Sequence, residues 1–184
     1  MTMATEIAGP VRRVAAAGII ALSVLLLGGC ADMSSPSDAS SELDGPALSD
    51  DQIRAQVVDP AREIVRAARL ESVSGSFKFG SCNDQNEPPI RGIAGFRFPI
   101  PAGTPPDTYL AQVEATMIDQ GWTPGPPPGA VPHGRVVHQG KIMAILTEHQ
   151  GGGRVQVLGE CRSTTDQVKA GGMQPVSITD ELTS

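Results

Sequence analysis

The sequence predicts an α+β domain: an antiparallel sheet of about five strands with two helices packed on one face, in the order α-β-β-α-β-β-β, with one disulfide. Three observations predict it. Apolar residues recur at helical spacing in two stretches, Ile53 to Ala68 and Leu110 to Ile118. Two matching triplets, Phe77-Lys78-Phe79 and Phe96-Arg97-Phe98, alternate as a pair of half-buried strands does. Three more short runs, Gly134 to Gln139, Lys141 to Glu148 and Arg154 to Cys161, follow one another across glycine turns. Such an order gathers helices on one face of an antiparallel sheet. The fold hosts many functions and identifies none.

A segment of another kind precedes the domain. Arg12-Arg13 leads into fourteen mostly apolar residues, Val14 to Leu27, and then into Gly28-Gly29-Cys30. A charged start, a short apolar middle and small residues at the end make a secretion signal. A bilayer-spanning helix needs about 20 apolar residues, so the stretch is too short to be one. Its end resembles the lipobox of bacterial lipoproteins, a branched residue and two small ones running directly into cysteine. That resemblance implies a diacylglyceryl group on the Cys30 thiol, cleavage just before it, and acylation of the new N-terminus. The other reading is an ordinary signal peptide with an incidental cysteine. On the lipobox reading the chain divides into a signal peptide at 1–29, a flexible tether at 30–48, a globular domain at 49–166 and a partly docked polar tail at 167–184. It then sits on the extracytoplasmic face of the cell membrane, with the membrane as its partner through the lipid.

Of the 184 residues, 155 follow Gly29, enough for one domain with a modest core. The whole chain carries net −6. Arg12, Arg13 and Glu6 precede Cys30, so the remainder holds 12 basic and 19 acidic residues, net −7. An acidic chain without a basic cluster is a poor nucleic-acid binder. The same acidity argues against electrostatic adhesion to anionic lipids, which leaves attachment to acyl chains. Aromatics make up 3%, against 21 Gly and 16 Pro, so many turns and a core of Val, Ile, Leu, Met and four Phe are expected. With Cys30 as the lipid site, Cys82 and Cys161 are the remaining thiols in an oxidising compartment, and they have one pairing. Closing that loop constrains the unfolded chain by about 4–5 kcal/mol. Two buried free thiols are the alternative.

The elements follow in order. The tether is rich in Ser, Asp, Ala and Pro and buries too little to offset chain entropy. Ser49-Asp50-Asp51-Gln52 reads as a capping box. Ile53, Val57, Ala61, Ile64, Val65 and Ala68 then share a face through Pro60, which favours one kinked helix over two, with Arg62, Arg66 and Arg69 solvated on the far side. Val73 to Gly80 and Ile93 to Pro99 are strands. Cys82 has the wrong parity for the first, so either Gly80 marks a bulge or the bridge forms past the strand end. The loop Asn83 to Pro89 is oxygen-rich, yet lacks the alternating acids and turn glycine of a calcium loop. A second helix runs from about Asp107 to Gln120, burying Leu110, Val113, Met117 and Ile118, with Trp122 just beyond Gly121. Thr123 to Pro132 is expected as a stiff proline-rich loop. Gln139-Gly140 is a tight turn and Gly151-Gly152-Gly153 a loose one. Ile142 to Leu146 is nearly all apolar, as a central strand would be. Of the tail, Val176 to Leu182 is expected to dock.

Catalytic and metal-binding patterns are weak. His133, His138 and His149 are too irregularly spaced for a metal motif. Gly134 to Lys141 echoes a phosphate loop, but has one residue too many and Ile142 where magnesium needs Ser or Thr. No G-x-S-x-G or S-x-x-K pattern is present. Glu160 and Asp166 could pair as acid and base, but surface carboxylates are common. No cofactor and no metal is expected.

The segments Ser81-Cys82-Asn83-Asp84-Gln85, Glu87-Pro88-Pro89, Gly121-Trp122, Gly125-Pro126-Pro127-Pro128-Gly129 and Gly159-Glu160-Cys161-Arg162-Ser163-Thr164-Thr165-Asp166 resemble the small Lpp-type lipoproteins of mycobacteria and related actinobacteria, over about Ile53 to Asp166. The resemblance implies an envelope lipoprotein with a Cys82–Cys161 bridge, and carries no established activity. Polar stretches at both cysteines suggest an interaction rim of Asn83, Asp84, Arg162, Thr164, Thr165 and Asp166. The expectation is a lipid-anchored, non-enzymatic module that binds an envelope protein or cell-wall component. A carrier of a small apolar or lipid ligand is the second reading, and an envelope enzyme with an unrecognised site the third.

Overall fold

The computed structural model describes residues 43–83 and 85–184. The signal segment, Cys30, most of the expected tether and Asp84 lie outside the described residues. The main frame is the expected one: α1 (Asp50–Ala67), β1 (Ser74–Ser81), β2 (Ile90–Pro99), α2 (Pro106–Asp119), β4 (Arg135–Gln139), β5 (Ile142–His149) and β6 (Gly152–Leu158). Four small pieces join it: β3 (Thr123–Pro124), α3 (Gln167–Ala170), β7 (Val176–Ser177) and α4 (Thr179–Thr183). The seven strands form one antiparallel sheet, ordered β3-β4-β5-β6-β2-β1-β7.

The Ser49 side chain accepts from the Gln52 N–H and the Gln52 side chain accepts from the Ser49 N–H, so α1 begins with a reciprocal cap. The helix runs through Pro60 without a break. It buries Ile53, Val57, Ala61, Ile64 and Val65 of the predicted face together with Val58, while Ala68 caps the helix and is half-buried. Arg62 departs from its expected solvated role: its Nε donates to the Glu181 carbonyl at 2.7 Å, while Arg54 pairs with the Glu181 carboxylate at 2.7 Å. The cause lies in the tail, which folds back as α4 and buries Ile178 and Leu182 beside α1 and β1. Ile178 N donates to Gly75 O, and β7 covers the edge of β1. A side chain at Gly75 would strike Leu182, so the bare backbone there makes room for the tail.

Side chains of α1, α2 and α4 join Phe77, Ala94, Phe96, Phe98, Val137, Ala144, Leu146, Val155 and Val157 in one apolar cluster. Those strand residues share one face of the sheet, because facing partners such as Phe77 and Ala94, or Phe96 and Val155, point the same way. The helices sit close. A Cβ on Gly92 would lie 2.7 Å from the Ile53 carbonyl of α1. The junction of α1, α2 and Trp122 leaves a void of about 10 Å³, no more than a single water's room.

Other expectations need correcting. Ile118 is 36% exposed, because the helical stripe of α2 ends at Met117 and Trp122 fills the next place. Thr123-Pro124 leaves the expected loop and pairs with the edge of β4. The turn after β5 is Gln150-Gly151, both at positive φ, while Gly152 and Gly153 belong to β6. Gly153 lies against the Phe98 ring, where a side chain would collide. The expected tether is also held at its end: Asp44 N donates to Cys161 O at 2.9 Å and Leu48 N to Arg162 O at 2.8 Å.

Candidate functional site

The other face of the sheet carries no helix of the core cluster, and three cross-strand rows define it. Ser74, Arg97, Arg154 and Thr147 form the first; Ser76, Gly95, Gln156, Ile145 and the buried Val136 the second; Lys78, Ile93, Leu158, Met143 and His138 the third. Hence Met143 and Ile145 point outward from a strand that the sequence presented as buried on both sides. No carboxylate stands in these rows, although the chain is acidic. Arg97 lies directly opposite Arg154. None of the six ion pairs among the described residues uses Lys78, Arg97 or Arg154. Both arginines line a concavity of about 240 Å³ that Ser74, Gly75, Ser76 and Phe96 also border. Gly95 also lines it, and a Cβ there would meet nothing nearer than the Val155 carbonyl at 4.0 Å.

Sequence reasoning placed Arg97 outward but missed this pairing. Alternation gives the face of a residue; the register that sets Arg97 against Arg154 depends on which strands become neighbours.

The end of the sheet is built differently. Cys82 and Cys161 are bonded, with Cα atoms 6.1 Å apart. The β1–β2 register is unbroken through Gly80 and Arg91, so no bulge occurs and Cys82 sits one residue past the strand. β1 and β6 both flank β2, so the bridge straps the strands on either side of it. It also brings Asn83 and the segment after Cys161 to one end of the sheet.

Most polar groups of the expected rim are engaged there. Asn83 Oδ1 accepts from Ser81 Oγ at 2.6 Å and Gln85 N at 3.1 Å. Arg162 donates to Pro46 O at 2.7 Å and to Glu160 at 3.0 Å. Asp166 caps α3 and pairs with Lys169 at 2.7 Å, and the hydrogen bond from Lys169 holds its carboxyl below the usual range. Thr164 and Thr165 are exposed. Glu160 also accepts from Gln56, so Glu160 and Asp166 each have separate partners.

Asp44 organises the same corner. Burial acts to raise its carboxyl, but hydrogen bonds from Lys141 and the Cys161 N–H, with the charges of Lys141 and Arg91, outweigh it and hold the group below its ordinary value. Arg91 donates to Cys82 Sγ at 3.2 Å, and burial pulls its guanidinium down against the charge of Asp44. His138 Nδ1 lies 2.8 Å from Gly125 O; a carbonyl only accepts, so that nitrogen carries the proton. Among the described residues, no three of His, Cys, Asp and Glu gather as metal ligands would, and no helix is long and apolar enough to cross a membrane.

These features define a small disulfide-stapled α+β domain with one helix-covered sheet face and another whose cross-strand rows, among the described residues, hold no carboxylate. The profile of the family described as "Putative lipoprotein LppJ" matches residues 49–181, and the chain belongs to that family. Relatives of that description in two strains of Mycobacterium tuberculosis are 42% identical over 156 residues, covering 80% of this chain and 82% of theirs. One in Mycobacterium bovis is 42% identical over 149 residues, covering 77% and 78%. No solved structure matches the chain. The matched family region spans both bridged cysteines, Arg97 and Arg154, and begins after Cys30.

Proposed function

We propose that this lipoprotein is held at the extracytoplasmic face of the cell membrane by lipid on Cys30, and that its domain is a non-enzymatic binding module for an envelope or cell-wall component. The observation that carries the module reading is the contrast between interior and surface. The space between helices and sheet is filled by Phe77, Phe96, Phe98, Leu110 and Met117, each no more than 4% exposed. A void of about 10 Å³ at its edge offers no room for an apolar ligand, which weighs against the carrier reading. Binding then falls to the outer surface, including Thr164 and Thr165 at the stapled end.

The anchoring half rests on Leu27-Gly28-Gly29-Cys30 and on membership of a lipoprotein family. Fractionation with mass spectrometry of the native protein tests it. An acyl mass on Cys30, partition into membranes, and release of a Cys30→Ala variant into the aqueous fraction are expected. Equal membrane retention of that variant would overturn the anchor.

A further inference from the structure

We propose that Arg97 and Arg154, with the hydroxyls of Ser74 and Ser76, form a binding site for a phosphoryl oxyanion on the open face of the sheet. This deepens the binding-module reading by naming a ligand chemistry, and it does not depend on the lipid at Cys30.

The strand pairing sets the two arginines directly opposite each other. Facing residues in an antiparallel pair have Cβ atoms about 5 Å apart, and like charges so placed repel. Nothing among the described residues relieves that repulsion: the three rows hold no carboxylate, and every ion pair present lies elsewhere. An anion between the guanidiniums would cancel it. The space is already there, a concavity of about 240 Å³ that also borders Gly95. Any larger residue at that position would occupy it.

The donor set selects the kind of anion. Each guanidinium presents a planar fork that matches two oxygens, and the two serines add hydroxyl donors. A carboxylate has two oxygens and is satisfied by one fork. A phosphoryl group offers three or more to both forks and the hydroxyls. Lys78 stands two positions from Ser76 on the same face and adds to the positive field. Beyond it lie Ile93, Leu158 and Met143, so a ligand with an apolar portion would find a surface to rest on.

Two sources supply this chemistry, a phospholipid headgroup and a free phosphorylated solute, and they are separable. Inorganic phosphate is titrated calorimetrically into the isolated native protein at low salt. Vesicles of phosphatidylglycerol or phosphatidylcholine are tested by co-sedimentation with the full chain carrying Cys30→Ser, so that acyl insertion cannot drive association. The site predicts saturable one-to-one phosphate binding that weakens as salt rises. Arg97→Gln or Arg154→Gln lowers the affinity at least tenfold, and the double variant abolishes binding. Gly95→Val keeps both charges and fills the space, so it should remove binding while leaving the circular-dichroism spectrum intact and the melting temperature no lower than that of the wild type. At least tenfold preference for phosphatidylglycerol, lost in the arginine variants, assigns the site to a headgroup. Phosphate binding without that preference assigns it to a soluble ligand. Absence of binding in both arms, or affinity unchanged in the double variant, overturns the site. If Cys30 proves unlipidated the anchoring reading falls alone, because the phosphate titration does not involve it.

Discussion

The two faces of the sheet are made from the same strands and obey opposite rules. On the covered face Ala94, Phe96, Val155, Val157 and Leu146 are each no more than 1% exposed, and helices complete their packing. On the other, alternate residues of the same strands leave Arg97, Arg154, Lys78, Ile145 and Met143 at the surface. Burial makes the first face the source of stability, because each apolar side chain there is removed from water and close-packed. On the second face Lys78, Arg97 and Arg154 make no ion pair among the described residues. Net charge conceals this division. An acidic composition argues against any cationic surface, yet among the described residues the rows of this face hold no carboxylate.

That contrast can be broken by substitution, and the largest effect should come from the staple beneath both faces. Removing the bridge with Cys82→Ser and Cys161→Ser frees a separation of 79 residues, and loop entropy sets the loss at about 4–5 kcal/mol before any compensation. Urea unfolding of oxidised and variant protein measures it, and a loss below about 1 kcal/mol would show that the bridge does not constrain the sheet.

Next, Phe96→Ala on the covered face should cost about 3–5 kcal/mol, whereas Ile145→Thr on the open face should cost under about 1 kcal/mol. Similar losses at the two positions would erase the distinction between the faces.

Two glycines of β2 sharpen the test at single-methyl scale. Gly92→Ala pushes a Cβ toward the Ile53 carbonyl and should cost about 1–3 kcal/mol. Gly95→Ala meets open space and should be neutral or slightly stabilising, since strands disfavour glycine by roughly 0.5–1 kcal/mol. Thermal melts of the pair decide it.

The smallest effect concerns Glu181, whose carboxyl is lowered chiefly by its hydrogen bond from Arg54. A depressed folded value means that the contribution is present above the unfolded pKa and is lost as pH falls through the folded one. The pair is about two-fifths exposed on the acid side, so Glu181→Gln should cost well under 1 kcal/mol near neutrality. The difference from wild type should vanish in acid, below the usual carboxylate range. A difference that persists there would locate the effect outside the ion pair.

Local chemistry made much of the frame legible. The Ser49–Gln52 cap, the stripe from Ile53 to Val65, both Phe triplets and the Gly140 turn are decided by near neighbours, and all can be read as a string. Features decided by distant residues were not legible. Arg62 looks like a solvent residue until α4 returns to meet it, and Thr123-Pro124 looks like loop until the edge of β4 is beside it. Ile142 to Leu146 has a run of apolar side chains consistent with two-sided burial. Only the gathering of the helices on one side shows that Met143 and Ile145 point outward. The concavity lined by Arg97 and Arg154 is of the same kind, since it joins residues 57 positions apart whose adjacency follows from β2 lying beside β6. The stapled end was better signalled, because two cysteines with one pairing name their own neighbourhood.

The contacts of Asp44 and Leu48 determine how the body would respond to being pulled. The chain ahead of Asp44 leaves at the corner where Cys161 is bolted across to Cys82. Force arriving along it is carried first by the hydrogen bonds of Asp44 and Leu48 to Cys161 and Arg162, residues that the bridge ties to the end of β1. Under load those hydrogen bonds should part first, and the bridged strands behind them should hold longer when the disulfide is intact than when it is reduced.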